Sequence, residues 1–299
     1  MSNSHDRENQ ENKNMSLLKE SFLDNKIILV TGGAGFIGRN LVKKVLDYNP
    51  QAVRALDINE NGLQHLRREL QHPRLRTFLG SIRDKGRLKR AIQNVDVIIH
   101  LGAYKHVDLL EVSPFEAVKT NVLGTENLIE CAIDENVEKV LNVSTDKSTL
   151  YTSIYGATKF LAEKLTLEAN NWKGDAQTIL ANARPVNVLY SDGSVYPYWQ
   201  NQKTEGKPLS ITHPDMERFF LTVDETVKFL LKCIELMKGG ETFVPSGARK
   251  IKIIDLAKQM SDKIEIVGIR KGERLTELLF DPSEIERAQL VDGIWVIHS

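Results

Sequence analysis

The sequence predicts an α/β fold with a doubly wound parallel sheet, and three observations lead to this prediction. Short apolar segments alternate with amphipathic segments from Lys26 onwards. The apolar segments are continuous, which is typical of strands that helices cover on both faces. A glycine-rich turn, "TGGAGFIG" at residues 31–38, follows the first strand and opens the first helix.

The predicted elements follow one another in strand–helix order. The strands are "KIILV", "AVRALD", "LRTFL", "VDVIIHL", "KVLNVS", "QTILANARPVNVL" and "GGETFVPSG". Helices are predicted from residue 36 to about 48, through "NGLQHLRREL", and through "DETVKFLLKCIELMK". Residues 191–213 and 247–299 have a less regular pattern, which indicates a small lid built from insertions.

Composition and charge are those of an ordinary globular chain. The 299 residues are 41% hydrophobic and 27% charged, which is sufficient for a full core. The formal net charge is zero, so we expect neither nucleic acid nor an anionic membrane surface as a partner. Any anion that binds is therefore expected to bind at a local site.

The first 22 residues form a polar leader that we expect to be disordered, because it has little apolar surface to bury. The leader lacks the apolar core of a signal peptide, and no later segment resembles a membrane-spanning run. Cys131 and Cys233 lie far apart in sequence, which does not suggest a disulfide and fits a reducing compartment. We therefore expect a cytoplasmic protein.

The glycine-rich turn has the placement of a dinucleotide-binding site. Gly32 or Gly33 permits the tight turn. Gly35 lets backbone N–H groups approach a pyrophosphate, and Gly38 lets the helix pack closely on the strand. The N-terminus of the helix then faces the anion.

The residue at the end of the second strand indicates the preference between NAD and NADP. Asp57 lies there, 19 residues after Gly38. A carboxylate at this position accepts hydrogen bonds from the adenosine ribose hydroxyls and repels a 2′-phosphate. Arg54 or Arg83 would soften that repulsion. The sequence predicts NAD, with NADP as the less favoured cofactor.

The stretch "STDKSTLYTSIYGATK", residues 144–159, carries four side chains that can move protons: Asp146, Lys147, Tyr155 and Lys159. Tyr155 and Lys159 lie four apart in a predicted helix, so they share one face. A neighbouring ammonium and a positive nicotinamide ring are expected to lower the pKa of the phenol, which lets Tyr155 take a proton from a hydroxyl. Thr145, at the end of the fifth strand, would hydrogen-bond that hydroxyl.

From about residue 25 to residue 277 the chain resembles the extended short-chain dehydrogenases/reductases. Within them it resembles the nucleotide-sugar 4,6-dehydratases of polysaccharide biosynthesis that act on UDP-N-acetylglucosamine. The motifs that carry the resemblance are "TGGAGFIG", "HLGAYKHV", "SPFEAVKTNVLGT", "STDK", "YGATK", "DGSV", "MERFFLTVDE" and "GIRKGERL". The Asp–Lys pair after Thr145 is similar to that of the UDP-N-acetylglucosamine group, where dTDP-glucose dehydratases would have Asp–Glu.

The resemblance implies a dinucleotide-binding Rossmann domain at 23–190, with a returning segment at about 214–246. It implies a substrate-binding lid of the extended type at 191–213 and 247–299. It also implies a homo-oligomer, a dimer or larger, formed through the helices at 112–135 and 154–170.

The implied reaction oxidises C4 of the sugar, removes the C5 proton, eliminates water across C5–C6 and returns hydride to C6. Tyr155 would be the base for the C4 hydroxyl, and Lys159 would position the cofactor and the phenol. Lys147 would be the C5 base and Asp146 the acid for the departing hydroxyl. These roles require a neutral Lys147 and a protonated Asp146, although the two could instead pair as ions.

The resemblance also implies binding residues. Further cofactor contacts are expected from Phe36, Ile37, Ile82 and Ala103. Substrate contacts are expected from Lys105 and His106 in the sugar pocket, from Arg218 on the diphosphate, and from Asn187 and Arg270 on the phosphates or the uridine. Each substrate contact could instead be a solvated or lid-packing side chain. Asn121 is expected to order the region of the catalytic helix, and no metal site is implied.

Departures from the family pattern leave other reactions open. Ser81 stands where the family commonly has an aspartate, "ARPVNV" where this sub-family often has Tyr-Gly-Asn, and Thr276 where a histidine is frequent. The alternatives are a UDP-sugar 4-epimerase, a dehydratase that releases the 5,6-alkene, and an NAD-binding regulatory protein without turnover. A regulator would need the glycines and Asp57 but no proton-transfer residues.

Overall fold

The predicted parallel sheet forms the centre of the fold. The structure, a computed structural model, describes residues 21–299. The strands in this range are β1 (Ile27–Thr31), β2 (Ala52–Asp57), β3 (Leu75–Leu79), β4 (Val97–His100), β5 (Lys139–Val143), β6 (Ile179–Ala183), β7 (Asn187–Val188), β8 (Leu209–Ile211), β9 (Glu217–Leu221), β10 (Glu241–Pro245), β11 (Arg249–Lys252), β12 (Ile264–Ile266), β13 (Ala288–Val291) and β14 (Ile294–His298).

The central sheet has nine strands in the order β13-β14-β10-β6-β5-β4-β1-β2-β3. All pairings from β3 to β10 are parallel, and the chain adds β14 and β13 in antiparallel orientation next to β10. The strand order reverses between β1 and β4, which is the arrangement of dinucleotide-binding Rossmann folds. The predicted fold class is confirmed.

Helices connect the strands. They are α1 (Phe36–Leu46), α2 (Glu60–Leu70), α3 (Lys85–Ile92), α4 (Val107–Val112), α5 (Pro114–Ala117), α6 (Leu123–Asp134), α7 (Ile154–Trp172), α8 (Val195–Thr204), α9 (Val223–Leu236) and α10 (Ile253–Lys258). A π-helical turn (Val118–Val122) and two 3₁₀ turns (Asp146–Ser148 and Pro282–Arg287) complete the set.

The helices cover both faces of the sheet. Along β1, Ile28 and Val30 enter one apolar core, which α1, α2 and α9 cover. Leu29 enters the opposite core, which α3, α6 and α7 cover. Burying such a side chain contributes about 1.5–3 kcal/mol to folding. Cys131 and Cys233 are free and buried in opposite cores, so the sheet separates them.

A smaller unit, the lid (187–221 and 249–281), has its own apolar cluster. It contains a three-stranded sheet, β11-β9-β7, and the strand pair β12-β8. Helices α8 and α10 lie beside these strands. The cluster at its centre is made of Trp199, Leu209, Ile211, Met216, Phe220, Ile253 and Ala257.

The lid boundaries differ from the predicted ones at two places. The returning segment is predicted from about residue 214, but β9 pairs with β7 and β11, so the return to the central sheet begins at Thr222. The lid is predicted to continue to residue 299, but β13 and β14 extend the central sheet. Both corrections have the same reason: short apolar strands do not reveal which sheet they join.

The predicted leader lies outside the described residues, except for Ser21 and Phe22. Phe22 packs against the first core, and Leu23 is fully buried in it, so packing begins before β1. Within residues 21–299, no helix combines the length and the apolar character needed to cross a membrane.

Candidate active site

The glycine-rich turn between β1 and α1 is shaped by close approaches. Gly32 has φ +66°, and a Cβ there would lie 2.9 Å from the carbonyl carbon of Leu101, so Gly32 makes the tight turn. A Cβ on Gly38 would overlap the carbonyl oxygen of Gly32. Gly33 lies against Ala55 of β2, where a Cβ would be 2.8 Å from the alanine Cβ. Gly32, Gly35 and Gly38 line the cavity described below, whereas Gly33 packs against β2.

Asp57 fastens this turn to the end of β2. Its Oδ2 accepts a 3.0 Å hydrogen bond from the Ala34 backbone N–H, and its Oδ1 accepts a 2.9 Å bond from the Asn59 N–H. The sequence assigns Asp57 to the cofactor ribose. The structure adds a second task, because the same carboxylate holds the backbone of the turn.

The two arginines considered for a 2′-phosphate lie in different places. The Arg54 guanidinium donates 2.7 Å hydrogen bonds to the carbonyls of Ala91 and Gln93 and does not line the cavity. Arg83 lines the cavity, but its guanidinium pairs with Glu116 at 2.6 Å. Neither guanidinium is free of a protein partner.

A cavity of about 1210 Å³ extends from the glycine turn to the lid. The predicted site residues that line it are Gly32, Gly35, Phe36, Ile37, Gly38, Asp57, Ile82, Ala103, Lys105, His106, Thr145, Lys147, Tyr155, Lys159, Asn187, Arg218 and Arg270. Gly33 and Asp146 are predicted site residues that do not line it. In the described part of the chain, no cluster of His, Cys, Asp or Glu is placed to hold a metal ion.

The Asp146–Lys147 pair lies in the 3₁₀ turn directly after β5. Asp146 is fully buried, and its Oδ1 accepts 3.0 Å hydrogen bonds from Thr145 Oγ1 and from Lys147 Nζ. Lys147 Nζ also donates to Asn187 Oδ1 at 3.1 Å, and Asn187 Nδ2 donates to Asp146 Oδ2 at 3.3 Å. Asn187, which the resemblance assigns to the phosphates or the uridine, therefore holds the Asp146–Lys147 pair.

The protonation of Lys147 differs from the neutral form that its predicted role needs. Burial opposes the ammonium, but the carboxylates of Asp146 and Glu277 outweigh this effect, so the pKa of Lys147 lies above its usual value. The carboxylates thus favour the ammonium form of Lys147, whose Nζ lies 3.0 Å from Asp146 Oδ1.

The groups of the protein alone do not give Tyr155 the lowered pKa that is predicted for it beside a bound nicotinamide. Burial raises the pKa of Tyr155 above its usual value, and the Lys147 ammonium opposes this only in part. The expected lowering is therefore not produced by the groups of the protein alone.

Helix α7 carries the Tyr155–Lys159 pair on one face. Ser153 caps this helix by accepting a 3.0 Å hydrogen bond from the Gly156 N–H. Lys159 is buried, and its Nζ donates to the Val143 carbonyl at 2.8 Å. Burial lowers the pKa of Lys159 to about 8, and Glu163 opposes this shift. Lys159 thus ties the helix to the end of β5.

A buried ion cluster lies behind these residues. The Arg184 guanidinium, 2% exposed, forms paired hydrogen bonds with Glu163 (3.1 and 2.8 Å) and with Glu284 (2.8 and 3.0 Å). Ser148 Oγ donates to Glu163 Oε1 at 2.6 Å. Sequence reasoning missed this cluster. The only available signal was the spacing of four between Lys159 and Glu163 on one helix.

Sequence reasoning also missed Glu277. This residue is 4% exposed, and it lines the cavity. Its Oε1 lies 3.9 Å from Lys147 Nζ and 3.8 Å from Arg218 Nε. Arg218 in turn donates to the carbonyls of Glu217 (2.8 Å) and Leu275 (3.1 Å). No local pattern in the sequence indicates these contacts.

The other predicted substrate residues surround the cavity mouth. Lys105 Nζ donates to the Asp192 carbonyl at 2.8 Å, and burial lowers the pKa of Lys105. His106 lies beside Gly193, where a Cβ would be 2.5 Å from its Cε1. Both residues thus contact the start of the lid. Arg270 is exposed on the opposite lid segment.

Asn121 connects the loop after β4 to α7. Its Oδ1 accepts a 2.8 Å hydrogen bond from the Tyr104 N–H, and its Nδ2 donates to Tyr104 O and to Thr158 Oγ1 at 3.0 and 3.1 Å. Because Asn121 is fully buried, these bonds fix α7 against the loop after β4.

A Rossmann fold with the glycine turn and the Tyr–Lys pair in one cavity defines an extended short-chain dehydrogenase/reductase, as the motifs predicted. The chain belongs to the polysaccharide biosynthesis protein family, whose sequence model (Polysacc_synt_2) matches residues 28–299. Nucleotide-sugar dehydratases and epimerases are both found among its relatives.

Three relatives illustrate this range. The "uncharacterized membrane protein MJ1061" of Methanocaldococcus jannaschii is 46% identical over 93% of this chain and 87% of its own length. The UDP-N-acetylglucosamine 4,6-dehydratase (inverting) of Campylobacter jejuni is 38% identical over 87% of this chain and 78% of its own. The UDP-glucose 4-epimerase of Rickettsia akari is 33% identical over 92% and 83%.

Two solved structures resemble the fold closely. Pen from Bacillus thuringiensis superposes with a TM-score of 0.89 and 34% identity, covering 93% of this chain and 89% of Pen. DesIV, a dTDP-glucose 4,6-dehydratase from Streptomyces venezuelae with NAD and TYD bound, gives a TM-score of 0.77 and 27% identity, covering 87% and 90%.

Proposed function

We propose that the protein is a nucleotide-sugar 4,6-dehydratase that converts UDP-N-acetylglucosamine into the UDP-4-keto-6-deoxy sugar. The observation that carries this proposal is the position of Lys147, which lines the same cavity as Tyr155. A 4-epimerase needs proton transfer at the C4 hydroxyl only. A dehydratase also needs a base for the C5 proton, and Lys147 is a side chain that can serve as that base.

The cavity fits NAD. A Cβ on Gly32 would collide with the backbone of Leu101, and one on Gly38 with the backbone of the turn, so these glycines keep the turn on which a pyrophosphate would lie. Asp57 also lines the cavity. Ile82 and Ala103 line the same part of the cavity. The chemistry that NAD supplies when bound is reversible hydride transfer, from C4 of the sugar and later back to C6.

In this proposal Tyr155 takes the proton of the C4 hydroxyl, and Thr145 hydrogen-bonds that hydroxyl. Since burial raises the pKa of Tyr155, the positive charge of a bound nicotinamide is needed to favour the phenolate. Lys159 holds α7 at the end of β5 through its bond to Val143 O and so fixes the distance between phenol and cofactor site.

The Asp146–Lys147 pair supplies both the base and the acid for the elimination. Transfer of one proton along the 3.0 Å bond from Lys147 Nζ to Asp146 produces a neutral amine and a carboxylic acid together. The amine then takes the C5 proton, the C5 electron pair forms the alkene, and the C6 hydroxyl leaves as water with a proton from Asp146. Asp146 does not line the cavity, so the proton passes through Thr145, which does and whose Oγ1 lies 3.0 Å from Asp146 Oδ1. Once protonated, Asp146 gives its proton to Thr145 Oγ1 while Thr145 gives its own hydroxyl proton to the C6 hydroxyl.

The test is proton NMR of the purified protein with UDP-N-acetylglucosamine in D2O. A new C6 methyl signal with deuterium at C5 would support the proposal, and the ring couplings would give the C5 configuration. A 5,6-alkene or an unchanged sugar would contradict it. The Tyr155→Phe variant is the control for reaction at this site.

The second candidate is a UDP-sugar 4-epimerase, favoured by the Rickettsia relatives. In the same NMR experiment it would give UDP-N-acetylgalactosamine without a methyl signal. Lys147 distinguishes the two reactions, because epimerisation does not need a base at C5.

We also propose a homo-oligomer formed through α4–α6 and α7. Exposed apolar side chains on these helices support an interface: Val112, Phe115, Leu123 and Leu161. Light scattering after size-exclusion chromatography would measure the mass, and Phe115→Glu should lower it. A monomeric wild-type protein would contradict the proposal.

The cytoplasmic location stays a prediction. The buried free thiols of Cys131 and Cys233 support a reducing compartment. Fractionation of cells expressing the full chain would test it, and recovery of the protein with membranes would contradict it.

A further inference from the structure

Glu277 is held in the cavity wall by the backbone on both sides of it. The Leu275 carbonyl accepts a 2.8 Å hydrogen bond from the Glu217 N–H, and Thr276 forms a bridge with Glu217. On the other side, Thr149 Oγ1 donates to the Leu278 carbonyl at 3.1 Å. The lid strand β9 on one side, and Thr149 at the end of the 3₁₀ turn on the other, thus fix the position of Glu277.

The carboxylate of Glu277 lies between two cations that the reaction uses separately. Its Oε1 is 3.9 Å from Lys147 Nζ, the proposed C5 base, and 3.8 Å from Arg218 Nε, the proposed diphosphate contact. The ionisable groups facing it are Asp146 and Lys147 from the 3₁₀ turn, Tyr155 from α7, Arg218 from β9 and Arg274 from its own segment.

The elimination changes the charge of Lys147. When the C5 proton moves to Nζ, the C5 electron pair moves towards the C4 ketone, and the neutral amine becomes an ammonium. Burial raises the pKa of Glu277, and the cations of Lys147, Arg218 and Arg274 oppose this shift, so the new ammonium itself favours the carboxylate. If Asp146 is then protonated, Glu277 is the carboxylate that remains beside this new charge. An anion already in place stabilises a developing cation without reorganisation.

We propose that Glu277 is a positioning residue that stabilises the ammonium formed on Lys147 and couples this lysine to the substrate contact Arg218. The inference rests on the proposed dehydration. The Glu277 carboxylate favours the charged form of Lys147. A diphosphate bound at Arg218 competes with Glu277 for the guanidinium and so weakens the electrostatic attraction between Glu277 and Arg218. Substrate binding and the C5 base are therefore linked through one side chain.

The first test is the pH profile of product formation and of deuterium incorporation at C5 for Glu277→Gln. Loss of the carboxylate lets Lys147 lose its proton to solvent at lower pH, which leaves no proton to pass to Asp146, so the alkaline limb should move down by about one pH unit. The plateau rate should fall about tenfold, because the ammonium loses one nearby opposite charge. Glu277→Asp keeps the charge and should keep the wild-type alkaline limb at a reduced rate.

The second test measures binding of UDP by calorimetry and needs no turnover. Removing a carboxylate near the diphosphate contact should tighten UDP binding about threefold in Glu277→Gln. The matched control is Glu265→Gln, an exposed lid glutamate outside the cavity, which should leave UDP affinity and the pH profile unchanged.

The outcomes separate this inference from the proposed function. An unchanged alkaline limb in Glu277→Gln, or an equal shift in Glu277→Asp, would overturn the role at Lys147. Unchanged or weaker UDP binding would overturn the coupling to Arg218. If the wild-type protein forms no C6 methyl product, the dehydratase proposal fails, while the UDP measurement still tests the contact with Arg218.

Discussion

Ser148 Oγ donates a 2.6 Å hydrogen bond to Glu163 Oε1, and this contact joins the two halves of the candidate active site. Ser148 ends the 3₁₀ turn that carries Lys147, and Glu163 lies on α7 one turn after Lys159. The proposed C5 base is thereby fixed against the helix that carries the proposed C4 base. The relative placement of the two proposed bases therefore depends on buried polar groups that do not line the cavity.

Arg184→Met should destabilise the protein by about 3–5 kcal/mol, because it leaves two buried carboxylates, Glu163 and Glu284, without their cation. Urea unfolding would measure this change. Arg287→Met, an exposed control with one bond to a backbone carbonyl, should change the stability by less than about 1 kcal/mol. Equal effects of the two substitutions on the free energy of unfolding would show that the buried ion cluster does not contribute to stability.

The same cluster predicts an acid-side loss of stability. Despite its burial, Glu163 has a pKa below its usual value, because Arg184 stabilises the carboxylate. The unfolded state therefore binds this proton first as the pH falls, so the contribution is full above pH 4.5 and disappears as the pH falls through the lower folded value. Glu163→Gln should flatten this part of the pH–stability curve, and an unchanged slope would contradict the assignment.

Tyr155→Phe should reduce product formation by about a hundredfold or more, because the C4 hydroxyl loses its general base. The phenyl ring keeps most of the shape of the site, so NAD affinity should stay close to that of the wild type. NMR of the product and calorimetry with NAD measure the two quantities. Near-normal turnover would remove Tyr155 from the mechanism.

Lys147→Ala should separate oxidation from elimination. Oxidation at C4 uses Tyr155, so the near-ultraviolet absorbance of the nicotinamide should still change when substrate is added. The C6 methyl signal should be missing, because the C5 base is gone. Normal dehydration by this variant would show that another group removes the C5 proton.

Asp57→Ala should weaken NAD binding by about tenfold, the scale of a hydrogen bond to a charged group. NADP binding should weaken less, since the substitution also removes the repulsion of the 2′-phosphate. The control Asp47→Ala changes an exposed acid at the end of α1 and should have no effect. Unchanged NAD affinity without a gain for NADP would refute the ribose contact.

The sequence predicts the fold well because its signals are local. Continuous apolar strands such as β1 and β5 can only be buried in a covered sheet, and the glycine turn requires a strand before it and a helix after it. Tyr155 and Lys159 are identified by a spacing within one helix. In each case the information lies within a few neighbouring residues.

The rest of the site depends on contacts between distant residues. Glu277 meets Lys147 across 130 positions of sequence, and Glu284 meets Arg184 across 100. The protonation of Lys147 follows from the carboxylates gathered around it after folding. The pairing of β14 with β10 has the same character, because "IWVIH" would suit a lid strand equally well.

The placement of β13 and β14 has a consequence for the movement of the lid. The chain passes into the lid after β6, leaves it at Thr222, enters again after β10 and returns to the central sheet at β13. Four chain connections thus join the lid to the central sheet, so the lid is an insertion and not a C-terminal extension. The lid can therefore rotate only about these four connections, so the cavity should open by a hinge motion of the lid. Removing β13 and β14 should destabilise the central sheet against which the lid closes.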